Sequence, residues 1–376
     1  MDKFMVSMCE DLNKIVKILL PVACWLSATF AYAFPFPSDT LSLFFVGDLM
    51  QHQSQINAAR VSSDKYDYKQ CFSFVTPEIQ RADLAIGNLE CPLGGKPYRG
   101  YPSFSAPDDF LYAIQDAGFD VMLFSNNHCL DRGRRGVSRT IALMDSLNMK
   151  HTGVFRDSTE RAERYPLLVE CKGFRLVFLN YTYGTNGLKP TPPQIVNYID
   201  RKQIQKDVEK AHRMRPDVII ACMHWGLEYQ MKPREEEKEL ARWLLELGVD
   251  HVIGSHPHVV QPLEVLPDTF SLKRHLVAYS LGNFVSNMSA SQTDGGMALR
   301  LVLKKAAGFT RMISCGYSFV WVSRPVVNGK EDFLIYPAKT EGNLLNDREE
   351  SLRNRYLKNV HKVVEKYSKN IKEYFF

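Results

Sequence analysis

Short apolar runs alternate with amphipathic segments along most of the chain. Residues 218–223 are a continuous apolar run with the length of a buried strand, residues 41–46 are apolar except for Ser42, and residues 249–253 are a further predicted strand. Residues 108–117 and 233–247 repeat apolar side chains at helical spacing, and the second segment carries acidic residues in its first turns, where the helix dipole favours them. Strands that alternate with helices predict an α/β core with a largely parallel first sheet.

The same periodicities predict the remaining elements. We expect further strands at 84–87, 119–124, 167–170, 174–180, 276–280, 297–302 and 318–322, and further helices at 136–147, 199–214 and 348–368. The closely spaced later strands predict a second, mixed sheet packed on the first. The last helix is basic and amphipathic, so residues 346–376 form a separate C-terminal segment in this prediction.

The first 33 residues have the features of an export signal. A polar, lysine-containing start precedes an apolar run over 18–34, which is shorter than the ~20 residues of a comfortable membrane span and contains Pro21. The run ends in Ala31-Tyr32-Ala33, the small-x-small pattern that a signal peptidase cleaves. Residues 1–33 are therefore a cleaved signal peptide, an uncleaved membrane anchor or a lipoprotein signal at Cys24. All three predict an exported protein that is periplasmic, on the cell surface or anchored to the membrane on its extracytoplasmic side.

The composition is typical of a globular protein. Of the 376 residues, 45% are hydrophobic and 24% are charged, which argues against wholesale disorder and against a multi-span membrane protein. The 47 Lys and Arg residues exceed the 42 Asp and Glu residues by only five, and no dense basic block occurs. We therefore expect no nucleic-acid partner.

Six cysteines follow the leader, and none of them belongs to a CxxC motif. An oxidising compartment permits disulfides, and Cys71 with Cys91 is the pair that we predict. Cys171 and Cys222 lie in apolar, strand-like runs, so we expect both to be buried free thiols.

The polar residues that follow the apolar strands are the most informative feature of the sequence. In open α/β sheets, ligands bind outside the carboxyl ends of the strands. Six predicted strands end in metal-capable or amide side chains, within the segments Gly47-Asp48, Asn88-Leu89-Glu90, Ser125-Asn126-Asn127-His128, His224-Trp225-Gly226, Gly254-Ser255-His256-Pro257-His258 and Gly282-Asn283-Phe284. These segments predict one convergent polar site.

Carboxylates and neutral imidazoles at such an edge suit divalent Zn, Mn or Fe. Two such cations ~3.5–4 Å apart can activate water and hold both oxygens of an in-line phosphoryl displacement. An unliganded histidine nearby can protonate the leaving group. His256 and His258 are two residues apart, and in an extended chain they would point to the same side, which favours a pair of ligands. The other histidines lack such settings and are expected to be structural or exposed, namely His52, His151, His212, His251, His275 and His361.

The six segments, in this order, resemble the bacterial CapA family of poly-γ-glutamate capsule synthesis, which is similar to the calcineurin-like metallophosphoesterases. The resemblance spans residues 41–284. It implies a four-layer α/β/β/α sandwich with the site at one sheet edge, and we expect this domain to cover residues 34–345.

The superfamily pattern also implies a role for each matching residue. His128 would be the general acid. Three amides, Asn88, Asn126 and Asn283, would contact the substrate or support the ligands. The metal ligands would be Asp48 and His258 for a first ion, Asn127, His224 and His256 for a second ion, and Glu90 as the bridge between them.

Two positions depart from the superfamily pattern. Met50 stands where a histidine usually follows the first aspartate, and Glu90 replaces the usual bridging aspartate. The first ion therefore lacks one ligand, and His52 is the residue nearby that could replace it. We expect one or two divalent ions (Mn, Fe or Zn).

The resemblance implies an exported, metal-dependent, phosphoesterase-like hydrolase in capsule or cell-envelope polymer synthesis. Its partners would be an anionic envelope polymer or its precursor, and membrane-bound capsule synthesis machinery. The alternative is a non-catalytic, metal-binding assembly or export factor for an anionic capsule polymer such as poly-γ-glutamate. A metal-dependent amide hydrolase acting on polyglutamate is a third possibility, although no residue selects for amide over phosphate.

Overall fold

The structure is a computed structural model that describes residues 39–268, 273–306, 308–327, 329–339 and 345–376. The predicted leader, residues 1–33, lies outside the described residues. Thr40–Phe376 form one compact unit. Within the described residues, every helix is too short or too polar to cross a membrane.

Helices and strands alternate along the first two thirds of the chain, and strands dominate the last third. The helices are α1 (Gln53–Ala59), α2 (Lys69–Phe72), α3 (Thr76–Ile79), α4 (Asp108–Ala117), α5 (Gly133–Ser146), α6 (Ser158–Arg164), α7 (Arg201–Arg213), α8 (Glu235–Glu246) and α9 (Asp347–Tyr367). The strands are β1 (Thr40–Leu49), β2 (Leu84–Leu89), β3 (Val121–Leu123), β4 (Lys150–Thr152), β5 (Val154–Phe155), β6 (Leu167–Cys171), β7 (Phe174–Thr182), β8 (Ile195–Val196), β9 (Val218–His224), β10 (His251–Ser255), β11 (Leu263–Pro267), β12 (Arg274–Ala278), β13 (Asn283–Val285), β14 (Gly295–Ala306), β15 (Phe309–Ser323), β16 (Val326–Val327), β17 (Lys330–Glu331), β18 (Leu334–Pro337) and β19 (Lys372–Glu373).

Two mixed sheets form the centre of the molecule. The nine-stranded sheet has the order β18-β15-β14-β1-β2-β3-β4, with β13 paired to β1 and β19 paired to β15. The six-stranded sheet has the order β11-β12-β10-β9-β7-β6. In the nine-stranded sheet the parallel strands β1 to β4 form one side, and in the six-stranded sheet the parallel strands β7, β9, β10 and β12 lie at the centre. The carboxyl ends of each parallel group therefore emerge at the same edge of their sheet.

The prediction that the late strands build the second sheet is right for β11 and β12, which belong to the six-stranded mixed sheet, and wrong for β14 and β15. β14 pairs antiparallel with β1, from Thr40 opposite Lys304 to Phe45 opposite Leu299, and so extends the first sheet. The physical reason is the edge of β1 that β2 leaves unpaired. By pairing there, β14 also places Leu299 in the same apolar cluster as Leu43.

Three apolar clusters separate four layers, and this confirms the α/β/β/α arrangement. The first cluster lies between the nine-stranded sheet and helices α1 to α5, and contains Phe44, Phe110 and Ile141. The second lies between the two sheets and also takes up α9. The third lies between the six-stranded sheet and helices α7 and α8. Alternate residues of β1 belong to the first and second clusters, as expected for a buried strand.

The local signals at the helix ends agree with the predicted helices. Helix α4 follows Pro107 and ends at Gly118, which has a φ of 106°. Helix α9 is capped by the preceding residue, Asn346, whose side chain accepts a hydrogen bond from the backbone N–H of Glu349. One face of this helix, which includes Val360, is buried in the cluster between the sheets.

The predicted disulfide between Cys71 and Cys91 is wrong. Both cysteines are free and buried in the first apolar cluster. Burial raises the pKa of both thiols, so each packs as a small apolar side chain. Cys222 is a buried free thiol, as expected, and Cys171 is free but only partly buried.

Candidate metal centre

The register of β1 with its two neighbours brings three polar side chains together. Asp48 lies opposite Asn88 of β2 on one side and opposite Asn283 of β13 on the other. All three residues are buried. The close approach of β1 to the β13 segment requires Gly47, because a Cβ there would lie 1.9 Å from the carbonyl oxygen of Gly282.

The Asp48 carboxylate is held from two directions. The Asn88 amide donates a hydrogen bond to Asp48 Oδ1 over 2.7 Å. His258 Nδ1 lies 3.1 Å from Asp48 Oδ2 and 3.0 Å from Asn283 Oδ1. Burial by itself would lower the pKa of His258, but the hydrogen bond and negative charge of Asp48 outweigh it and raise that pKa.

The six-stranded sheet contributes His224 to the same site. His224 ends β9 and lies opposite Ser255 of β10, whose hydroxyl is 3.0 Å from His224 Nδ1. On its other side, His224 Nε2 lies 2.8 Å from Asn127 Oδ1, so the site joins the edges of both sheets. Burial, with the nearby His256, lowers the pKa of His224 well below its usual value, and a neutral imidazole is the form that binds metals.

The loop after β10 presents His256 and His258 from a strained backbone. Their φ angles are 99° and 59°, a region that residues with a Cβ seldom occupy. His256 is 2% exposed, and its Nδ1 has no hydrogen-bond partner in the described part of the chain. Burial lowers the pKa of His256 to about 3, so this ring is neutral.

Glu90, which follows β2, is the most unusual group in the site. Its side chain is fully buried, and neither carboxylate oxygen has a hydrogen-bond partner among the residues that the structure describes. Its Oε1 lies 3.6 Å from His224 Nε2 and 3.7 Å from His258 Nε2. Burial raises the pKa of Glu90 well above its usual value, and the adjacent Asp48 raises it further. A buried carboxylate without donors requires a proton or a cation.

These side chains form two adjoining groups that share Glu90. Asp48, Glu90 and His258 bring one ligand atom each within 4.8 Å of one another, and Glu90, His224 and His256 do the same. The unpartnered oxygens of Glu90 and the unpartnered Nδ1 of His256 are the donors that a divalent cation would take. The described residues therefore fit one or two such ions, with Glu90 between them.

His128 is placed beside this group by a carboxylate of its own. Its Nδ1 lies 2.8 Å from Asp131 Oδ2, and its backbone N–H donates to Asn126 Oδ1 over 3.1 Å. Because a carboxylate only accepts, Nδ1 carries a proton and Nε2 remains for proton exchange with a ligand. The ring is 3% exposed and packs edge-on against Phe104.

The amides tie the ligands together. Asn126 donates to Asn88 Oδ1 over 3.3 Å and to the carbonyl of Leu89 over 2.8 Å. Asn88 in turn donates to Asp48, so these two amides support a ligand rather than face solvent. Asn283 supports His258 through its Oδ1.

His52 does not take the place of the missing histidine. Met50 is buried in the first apolar cluster and offers no nitrogen to the site. His52 precedes helix α1, where its Nδ1 accepts the backbone N–H of Asn287 over 3.2 Å. It belongs to none of the metal-capable groups found among the described residues.

A family model for "Bacterial capsule synthesis protein PGA_cap" matches residues 42–288. The chain belongs to the PGA_cap family. The match runs from β1 to just beyond β13 and so includes every residue of the metal centre. The family predicted from the six segments is confirmed.

Two curated relatives of this PGA_cap chain share about a quarter of their residues with it. The capsule biosynthesis protein CapA of Bacillus anthracis is 27% identical over 310 residues, covering 77% of this chain and 71% of that protein. The PGA biosynthesis protein CapA of Bacillus subtilis (strain 168) is 26% identical over 315 residues, covering 78% of each. Among solved structures, the calcineurin-like phosphoesterase YfkN from Bacillus subtilis aligns with a TM-score of 0.42 and 12% identity, over 87% of this chain and 99% of that one.

Three residues around the PGA_cap site have roles that the sequence did not predict. Asp131 orients His128 from three residues downstream, a spacing that could have indicated the pair. Ser255 belongs to one of the six segments, but its contact with His224 depends on the pairing of two strands. Glu228 brings a carboxylate oxygen close to His256 and His258, yet it lies in an exposed turn where acidic residues are common.

Proposed function

We propose that this PGA_cap protein is an exported, metal-dependent hydrolase of the phosphoesterase type that acts in the synthesis of a capsule or cell-envelope polymer. The observation that carries the proposal is the fully buried Glu90 carboxylate, which lacks hydrogen-bond donors and is shared by two groups of metal-capable side chains. An uncompensated buried charge costs about 3–5 kcal/mol of folding free energy. A bound cation offsets this cost and explains why a glutamate stands there.

The donor set indicates the kind of ion. Imidazole nitrogens together with carboxylate and amide oxygens suit Mn, Fe or Zn. When bound, such an ion polarises a phosphoryl oxygen and activates water. Asp48 and His258 would hold one ion, Asn127, His224 and His256 would hold another, and Glu90 would be available to both.

His128 supplies the proton for the departing oxygen. Asp131 accepts from Nδ1–H and orients the ring, so a second proton carried on Nε2 is the one that passes to the leaving oxygen, and the ring is left neutral with its remaining proton on Nδ1. Phe104 packs against the same ring with the centroids 4.6 Å apart. Both contacts restrict the ring before any ligand arrives, which favours a productive geometry.

The substrate class follows from the family and from the chemistry of the site. The relatives are named for capsule biosynthesis and for PGA biosynthesis, and poly-γ-glutamate is an anionic polymer. We propose that this chain acts on such a polymer or on a phosphate-bearing precursor, beside membrane-bound capsule synthesis machinery. The apolar run and the Ala31-Tyr32-Ala33 pattern support an extracytoplasmic location.

Hydrolysis of simple esters tests the proposal. The purified protein, loaded with Mn²⁺, is assayed with a phosphodiester and a phosphomonoester that release p-nitrophenol, and the rates are compared with those of His256→Ala. We expect metal-dependent turnover that is lost in the variant and in EDTA. The matched control is His212→Ala, since His212 lies on α7 against the carbonyl of Leu247. Equal rates for wild type and His256→Ala would remove the claim.

One observation favours a second function, a non-catalytic assembly or export factor that keeps the metal for structure or polymer binding. Met50 lies in an apolar cluster where the superfamily usually places a ligand, so the first ion has fewer protein donors. Elemental analysis of the dialysed protein separates the two functions. Bound metal without turnover on either ester favours the assembly role, whereas absence of bound metal after Mn²⁺ loading contradicts both.

A further inference from the structure

The turn after β9 carries an acidic residue that faces the histidine loop. A carboxylate oxygen of Glu228 and one ring nitrogen each of His256 and His258 lie within 4.8 Å of one another. Both histidines are buried and Glu228 is exposed, so the carboxylate approaches the site from the solvent side. His256 also has a buried Nδ1 with no hydrogen-bond partner among the described residues.

Backbone hydrogen bonds fasten this turn to the histidine loop. The N–H of Trp225 donates to the carbonyl of Ser255 over 3.1 Å, and the N–H of Tyr229 donates to the carbonyl of Pro257 over 2.8 Å. These two bonds lie on either side of Glu228 along the chain. The position of Glu228 is therefore set by the same loop that positions the two histidines.

Tyr229, the residue after Glu228, has a φ of 65°, a conformation that turns the chain back toward Pro257.

The opposite side of the site lacks a ligand. The residue two positions after Asp48 is Met50, which packs in the first apolar cluster, and His52 is hydrogen-bonded elsewhere. The group of Asp48, Glu90 and His258 thus has three protein donors, fewer than the four of a closed metal site.

We propose that Glu228 is a ligand of the divalent cation held by Asp48 and His258, next to His256, and that it supplies from the loop side the donor that Met50, just after β1, cannot supply. This inference rests on the proposed metal-binding function. It adds a carboxylate to the protein ligands and places the most exposed of them where an entering anion would meet the ion. The chemical class of the ligand is a divalent transition metal such as Mn²⁺.

Metal titration of the full chain tests this inference. Mn²⁺ binding to the EDTA-treated protein is followed by calorimetry and by the loss of the free Mn²⁺ electron paramagnetic resonance signal, for wild type, Glu228→Gln and Glu228→Asp. We expect Glu228→Gln to weaken one binding event by at least about 10-fold, the lower range for outer supporting residues of metal sites. The shorter carboxylate of Glu228→Asp should recover part of the affinity. The matched control is Glu239→Gln, an exposed glutamate of α8 whose removal should leave the titration unchanged.

The outcomes separate this inference from the proposed function. If the wild type binds no Mn²⁺, the metal-binding function itself fails. If the wild type binds Mn²⁺ and Glu228→Gln binds it equally well, only the role of Glu228 is overturned. A crystal structure of the Mn²⁺ complex gives the same decision directly, because the inference requires a Glu228 oxygen in the coordination shell and is contradicted by a carboxylate turned to solvent.

Discussion

Asp48 and Asn283 lie side by side on the parallel strands β1 and β13, and an oxygen of each faces the same nitrogen, His258 Nδ1. Strand pairing, rather than a flexible loop, therefore fixes the carboxylate and the amide that hold this histidine. Because both strands belong to the nine-stranded sheet, the geometry of this half of the site exists before any ligand binds. Such rigidity favours tight and selective ion binding.

The approach of these two strands depends on Gly47. A methyl group there would meet the carbonyl oxygen of Gly282 at 1.9 Å, so Gly47→Ala must push β13 away from β1. We expect a loss of about 3 kcal/mol in the free energy of unfolding, at the upper end for overpacked sites. Metal affinity should fall as well. Urea unfolding and Mn²⁺ titration check this, with Gly184→Ala as the control, since a Cβ at Gly184 meets open space.

Glu90→Gln should have opposite effects on stability with and without metal. In EDTA, the neutral amide removes a buried carboxylate that lacks donors, so the variant should be more stable than the wild type. With Mn²⁺ at about 100 times its Kd, the wild type should gain about 2.7 kcal/mol and the variant much less. Thermal unfolding of both proteins, in EDTA and in Mn²⁺, measures whether the order of their stabilities reverses.

Glu78→Gln is the matched control for this experiment. Glu78 is also buried, but its carboxylate pairs with Arg81 and Arg300. Removing its charge leaves the partly buried Arg300 without its ion pair, so this variant should be less stable in both conditions. A Glu90→Gln protein that is destabilised in EDTA to the same extent would show that Glu90 is satisfied by the protein alone.

His128→Gln should slow hydrolysis according to the leaving group. A general acid matters most when the departing oxygen is strongly basic, so the loss should reach about 10²–10⁴-fold in kcat for an alkyl phosphate ester. For p-nitrophenyl esters, whose leaving group needs little protonation, the loss should be much smaller. Asp131→Asn should also slow hydrolysis of the alkyl ester more than that of the p-nitrophenyl ester, because it removes the acceptor that orients the His128 ring.

The control for the leaving-group dependence is His151→Gln. His151 forms a similar pair with Asp145 over 3.0 Å but belongs to none of the metal-capable groups in the described residues. Its replacement should leave the ratio of the two rates unchanged. Equal losses of His128→Gln on both substrate types would argue against proton donation by His128.

His251 should make the apo protein less stable as the pH falls. It is fully buried, its Nδ1 accepts the backbone N–H of Leu276, and burial lowers its pKa to about 4. Below its unfolded pKa of about 6.5, only the unfolded state takes up the proton, so stability is lost from about pH 6.5 down to about pH 4. This difference between the folded and unfolded pKa of His251 corresponds to about 3 kcal/mol in the free energy of unfolding.

His251→Asn keeps an acceptor for Leu276 and removes the titration, so its unfolding free energy in EDTA should vary less with pH than that of the wild type. The control is His361→Asn, because the stability contributed by His361 depends on pH with the opposite sign. A hydrogen bond to Glu373 raises the pKa of His361, so the contribution of His361 is present at low pH and is lost as the pH rises. Urea unfolding at several pH values separates His251→Asn from His361→Asn, and identical slopes for wild type and His251→Asn would contradict the assignment.

The strand ends could be predicted from the sequence because each apolar run stops at a polar residue, and sheet geometry then brings these ends together. Asp48, Glu90, His224, His256 and His258 all lie where this reasoning places them. The helices could be predicted from the sequence equally well, since α4, for example, has a proline before it and a glycine after it. These signals depend only on neighbouring residues, and the folded chain keeps the strand ends and the helix that they predict.

Long-range pairing was the part that the sequence could not supply. The antiparallel partner of β1 is β14, and no local pattern distinguishes an added strand of one sheet from a strand of another. The Cys71–Cys91 pairing failed for a related reason, since a disulfide depends on the distance and direction of two Cβ atoms, which spacing along the chain does not determine. Glu228 was missed because its partners belong to a different loop.

The most direct test of the metal centre is anomalous diffraction from crystals of the protein soaked in Mn²⁺. We expect an anomalous peak at coordination distance from Glu90 and the nitrogens of His224 and His256, and a second peak, where occupied, between Asp48, Glu90 and His258. Absence of anomalous density among these side chains, with Glu90 hydrogen-bonded to protein or water, would contradict the metal centre.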